Sequence, residues 1–207
     1  MNRLFSLDSP VTAFLSRVAD LVWLNILTLI CCIPVVTAGA AITALHYVTV
    51  KMVRNEEGYL TKSYFKSFKQ NFLQATGMWL LFVLIAVVAV ADFYFISMMD
   101  SGVAMVLRTG LCAVIFFFFC GGVYWFALLS RFENTVINTI KNSCLVGVLN
   151  FPRTLLIMAI YGGFAFLYAV LSFRIMPLIF MVGISLPVYL AGYLYSAVFK
   201  RLEPAEE

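Results

Sequence analysis

Asp92 and Arg108 are the residues whose type and position most invite chemistry, because each interrupts a long apolar stretch. An ionised group in hydrocarbon costs several kcal/mol unless it is paired or wetted, so each is a functional candidate by default. They lie eight residues either side of Asp100. If Asp100 marks a tight turn, both fall about 12 Å from it on two adjacent antiparallel helices. That spacing predicts an ion pair clamping the two helices, with a polar substrate site or snorkelling to the near surface as the alternatives.

Asn25 and His46 are the other polar side chains set deep in apolar sequence. Proton relays need several acidic or histidine groups in succession, and this chain has a single histidine, so His46 reads as a hydrogen-bonding partner. Cys31, Cys32, Cys112, Cys120 and Cys144 show no CxxC spacing and read as small core residues, so no metal or other cofactor is expected. There is no HExxH, no protease-like aspartate pair, no serine motif beside a glycine-rich strand and no Walker sequence. The chain reads as a non-enzyme, and no nucleic acid is expected among its partners.

The elements that must position these residues are membrane helices. Of 207 residues 63% are hydrophobic and 12% charged, with a mean hydropathy of +0.99, whereas an ordinary soluble domain has about 25% charged residues. Apolar blocks run over Leu21–Val50, Ala75–Met99, Thr109–Ser130, Thr154–Phe173 and Ile175–Phe199. A span needs about 20 residues, so the first block, about 45 Å long as one helix, is too long. Pro34 and Gly39 can break it, with one helix from a Ser9-Pro10 cap to near Ile33 and a second, capped by Thr37, ending near Arg54. The resulting hairpin matches Arg17 with Arg54, Asp20 with Lys51 and Asn25 with His46 in depth; the alternative is one kinked span, which makes five crossings and puts the N-terminus outside. Leu21–Val36 before Ala38-Gly39-Ala40 imitates a signal peptide, but the apolar character continues past that point, so it reads as a span. The fold class is an all-α polytopic transmembrane bundle of about six crossings in one domain, residues 1–207.

Two amphipathic stretches lie between the spans. Over Tyr59–Phe72 the aromatics Tyr64, Phe65, Phe68 and Phe72 recur at helical spacing while Lys62, Lys66 and Lys69 gather on another face. This predicts a cytoplasmic elbow helix resting on lipid headgroups or docking a partner subunit. Val136, Ile140, Cys144 and Val148 repeat the layout and feed a span through Asn150-Phe151-Pro152-Arg153-Thr154. The two units, 59–130 and 133–200, read as a weak internal repeat. Gly121-Gly122 and Gly162-Gly163 allow close helix contact.

Lysine and arginine stay on the cytoplasmic side during insertion. Six crossings put twelve of the 14 there, leaving Arg108 and Arg174 outside. Both termini are then cytoplasmic, and Trp23, Trp79 and Trp125 fall toward inner helix ends as interfacial anchors.

The segments Leu24-Asn25, Cys31-Cys32-Ile33-Pro34-Val35-Val36-Thr37-Ala38-Gly39-Ala40, Thr43-Ala44-Leu45-His46-Tyr47, the run from Lys51 to Tyr59 and the run from Ser63 to Phe72 resemble the YesL-like bacterial integral membrane proteins. Arg131-Phe132-Glu133-Asn134 and Pro152-Arg153-Thr154 extend the resemblance loosely along the chain. That family has no assigned activity, and its genes accompany those for carbohydrate ABC importers in Gram-positive bacteria. The resemblance implies an accessory or regulatory subunit in the cell membrane, bound to lipid and to importer permease subunits. The alternative is a stand-alone transporter of a small polar or sugar solute, lined by Asn25, His46, Asp92 and Arg108. The coupling-loop pattern of a true ABC permease is missing.

Overall fold

A computed structural model describes residues 10–56, 58–99, 102–171 and 176–203. Ser9, Arg3, Asp100 and Arg174, used above for a cap, a turn and the charge balance, lie outside these residues. The described chain is an all-α polytopic bundle: α1 Pro10–Cys32, a 3-10 turn Val35–Thr37, α2 Ala38–Arg54, α3 Leu60–Ser97, α4 Gly102–Arg131, α5 Val136–Leu149, α6 Phe151–Leu171, α7 Met176–Val182 and α8 Ser185–Leu202. Five helices are long and apolar enough to span a membrane, and the pair α7 and α8, bent by 46°, makes up to six.

The first apolar block does split at Pro34, which has no N–H to continue the ladder of α1. The Arg17 guanidinium on α1 donates to Asn55 Oδ1 just beyond α2, so the two helices fold back as a hairpin. Two details differ from expectation. Thr37 makes no side-chain cap to α2; its hydroxyl donates to the carbonyls of Cys31 and Pro34, at 2.6 and 2.8 Å, and so satisfies the frayed end of α1. Gly39 is no breaker. It lies inside α2 and against α3, where a Cβ would collide with the Ala75 carbonyl and stand 2.6 Å from Trp79 Cβ.

That contact explains why α2 is the centre of the molecule. Ala38, Gly39, Ala40, Ala41 and Ala44 remove side-chain bulk and let neighbouring helices approach. Within Val35–Arg54, 67% of the most apolar window is buried, whereas in α3 the corresponding share is 0%. Three apolar clusters surround α2. One joins it to Leu21, Leu24, Leu27 and Tyr64, one to Tyr124, Leu128, Tyr195 and Phe199, and one to Ala75, Met78, Trp125 and Leu129. Trp125 is 2% exposed between Phe82 and Phe118, so it is a core residue and not an interfacial anchor.

The amphipathic stretches are not membrane-surface elbows of one kind. The first is continuous with its span in the 38-residue α3, about 57 Å of helix with no proline to stop it. The second breaks at Asn150, because Pro152 has no N–H for the Val148 carbonyl. Helix α5 then runs along α4: a Cβ on Gly147 would lie 2.6 Å from the Cys120 carbonyl, and one on Gly121 2.9 Å from Cys144 Sγ. A Cβ on Gly162 or Gly163 would meet no other helix within 4 Å, so neither makes a close helix contact among the described residues.

Candidate functional site

Three helices end in charge at one end of the bundle, and those charges meet. Arg54 closes α2, Arg131 closes α4 and Glu203 follows α8. The Arg54 guanidinium, with 4% of its side chain exposed, donates through Nη1 to both Glu203 oxygens at 3.1 and 2.9 Å and through Nε to Ser196 Oγ at 3.2 Å. Arg131 Nε donates to Glu203 Oε1 at 2.7 Å, and Glu56 lies 3.8 Å from Arg131 and 4.0 Å from Arg54. Partial burial pushes the Glu203 pKa up, but the hydrogen bonds and charges of Arg54 and Arg131 outweigh it and hold the carboxyl below its usual range. This cluster ties the ends of α2, α4 and α8 together. The sequence offered one clue: each residue is the ionic stop of an apolar block.

Beside the cluster opens a cleft of 1040 Å³ between the first turns of α3 and the α4–α5 turn. Lys66, Lys69 and Arg131 supply positive charge against Glu133, while Gln70, Asn71, Gln74, Asn134 and Asn138 supply amides that donate and accept. These cations and amides can recognise an anionic or hydrogen-bond-rich group. Of the residues read as an interface, Lys62, Lys66 and Lys69 are exposed, and Phe65 is 38% exposed. Tyr64 is fully buried and donates to the Ala41 carbonyl at 3.3 Å; Phe68 and Phe72 pack inward. Tyr64, Phe68 and Phe72 therefore belong to the fold, and the lysine face together with Phe65 is available to a ligand or partner.

Asn25 is fully buried, but its partner is not His46. Within the last apolar block Pro187 cannot donate to the Gly183 carbonyl, and Tyr168 Oη donates there at 2.7 Å instead. One residue on, the Asn25 amide inserts into the broken ladder. Nδ2 donates to the carbonyls of Phe180 and Ile179 at 2.7 and 3.3 Å, and Oδ1 accepts from the N–H groups of Ile184 and Ser185 at 2.8 and 3.0 Å. Phe180 and Ile184 are an i, i+4 pair, so the side chain bridges the bond that the kink opens. The depth match with His46 failed because shared depth does not fix which way a side chain faces. His46 lies edge-on to Tyr195, ring centroids 5.3 Å apart, and among the described residues its Nδ1 has no hydrogen-bond partner. The missed signal was a glycine four residues before a proline, Gly183 to Pro187, inside an apolar block.

Asp92 and Arg108 stand on adjacent helices as expected, yet no ion pair joins them among the described residues. Asp92 edges an apolar groove between α3 and α4 lined by Phe82, Ala89, Leu111, Ile115 and Phe118, and Arg108 lies over the Phe93 ring, 6.0 Å from its centroid. Successive residues point about 100° apart on a helix, so the residue facing Arg108 is Phe93. Both charges are exposed. The four polar residues named for a transport pathway thus occupy separate places. The cysteines carry no disulfide, Cys112 and Cys144 are exposed, and no group of three potential metal ligands comes together among the described residues.

No curated protein and no solved structure matches this chain. Residues 21–93, from α1 into α3, match the family described as protein of unknown function, DUF624.

Proposed function

We propose that this protein is a non-catalytic accessory subunit of the bacterial cell membrane that docks on the permease of a carbohydrate importer through the cleft at its Lys/Arg-rich end. The observation that carries this reading is the cleft itself, with Lys66, Lys69 and Arg131 around a wall of amides. It suits an acidic or polar segment of a partner better than a reaction. The importer context comes from the YesL-like resemblance. Six crossings put twelve of the 14 lysines and arginines on one side, and the positive-inside rule then turns that end, with both termini, toward the cytoplasm.

The test is co-purification of the tagged full-length chain from native membranes in mild detergent. Importer permease subunits should accompany the wild type, and the double charge reversal Lys66→Glu, Lys69→Glu should lose them by about tenfold while the protein still accumulates. If the protein purifies alone and its deletion leaves sugar uptake unchanged, the reading falls.

A further inference from the structure

We propose that the protein forms a parallel homodimer through the groove face of the α3–α4 hairpin, with Asp92 of each copy paired to Arg108 of the other. Three observations carry the argument. Both charges stand in the apolar parts of their helices, five residues before Ser97 and six after Gly102, about 8–9 Å from the helix ends. Among the described residues neither has an ion-pair partner. Asp92 has too short a side chain to reach the surface from that depth, whereas Arg108 can snorkel. A carboxyl at a hydrocarbon-facing groove is best satisfied by a cation brought to it across a contact.

The cation's position identifies the occupant. Arg108 precedes Leu111 and Ile115, which wall the groove, by three and seven residues, so it continues the same stripe of α4. The groove face thus presents an acid on one helix and a base at the same depth on the other. All copies insert with one orientation, so the two-fold axis relating two copies must run along the membrane normal and preserve depth. Rotation about it sets each Asp92 level with the other copy's Arg108, and one contact makes two ion pairs. The surrounding surface is apolar and unburied within one chain: Val88, Val114 and Phe119 are all exposed.

The test uses two differently tagged full-length copies, co-expressed without any importer subunit and extracted into lipid nanodiscs, so its failure leaves the accessory role untouched. The two wild-type copies should co-purify. Asp92→Arg alone and Arg108→Asp alone should each weaken self-association at least about tenfold, because each places like charges opposite one another. Co-expressing Asp92→Arg with Arg108→Asp should restore it, since that mixture re-forms both pairs across the two chains and within neither. Monodispersity and helical content check that each variant folds. The neutral changes Asp92→Asn and Arg108→Gln provide a second set, and each should also lower co-purification. Wild-type copies that do not co-purify, folded single variants that still do, or a mixture that fails to recover would each overturn the proposal.

Discussion

In hydrocarbon the cost of a helix break is set by the backbone groups it strands, and between α7 and α8 the Asn25 amide takes up two carbonyls and two N–H groups. Replacing it by leucine, a similar volume without polar atoms, should lower unfolding stability in detergent by about 2–4 kcal/mol. Tyr168→Phe, which strands one carbonyl, should cost less, and equal denaturation midpoints for Asn25→Leu and wild type would refute the clamp. Glu203 gives a prediction of a different kind. A carboxyl whose pKa is depressed on folding stabilises the fold above its unfolded value and loses that contribution as pH falls through the folded one. The melting temperature should therefore hold at neutral pH and fall as pH drops through 4.5 and below. In Glu203→Gln it should start lower and show less of that fall.

At the scale of elements, small residues decide which helices can touch. Gly39 and Gly147 each meet backbone of a neighbouring helix, so Gly39→Ala and Gly147→Ala should each destabilise by about 1–3 kcal/mol, read from thermal aggregation in detergent. Gly162→Ala and Gly163→Ala, where a methyl group meets nothing, should leave the melting point within a degree or two or raise it. Pairs of adjacent glycines look alike in sequence, and only the neighbouring helix distinguishes a contact from an open face. Helix boundaries were more legible. The break at Pro34, the stop at Arg54 and the hinge at Asn150 follow from where N–H groups are missing or charges begin. The continuity of α3 through the lysine-rich stretch was not legible, because amphipathic and apolar segments share the same helical period.

At the scale of the whole molecule, Arg17, two turns into α1, bonds to Asn55 and Glu203, just after α8, bonds to Arg54, so both ends of the described chain approach one end of the bundle. Reporter tags fused at the two termini should therefore give the same accessibility from the same side of the membrane, and opposite accessibility would break the hairpin and the crossing number together. The sequence by itself determined the membrane, the approximate number of crossings, the break at Pro34 and the bias of positive charge. Each depends only on the length of apolar runs and on residues whose backbone cannot continue a helix. Only the tertiary structure decided that Asn25 serves the α7–α8 kink, that Tyr64 is core while Lys66 and Lys69 line a cleft, that Arg54 and Arg131 converge on Glu203, and that Asp92 and Arg108 stay apart. Depth along a helix can be counted from sequence. The direction in which a side chain leaves the axis, and which neighbour waits there, is set by how the helices rotate and cross when their small and large residues pack.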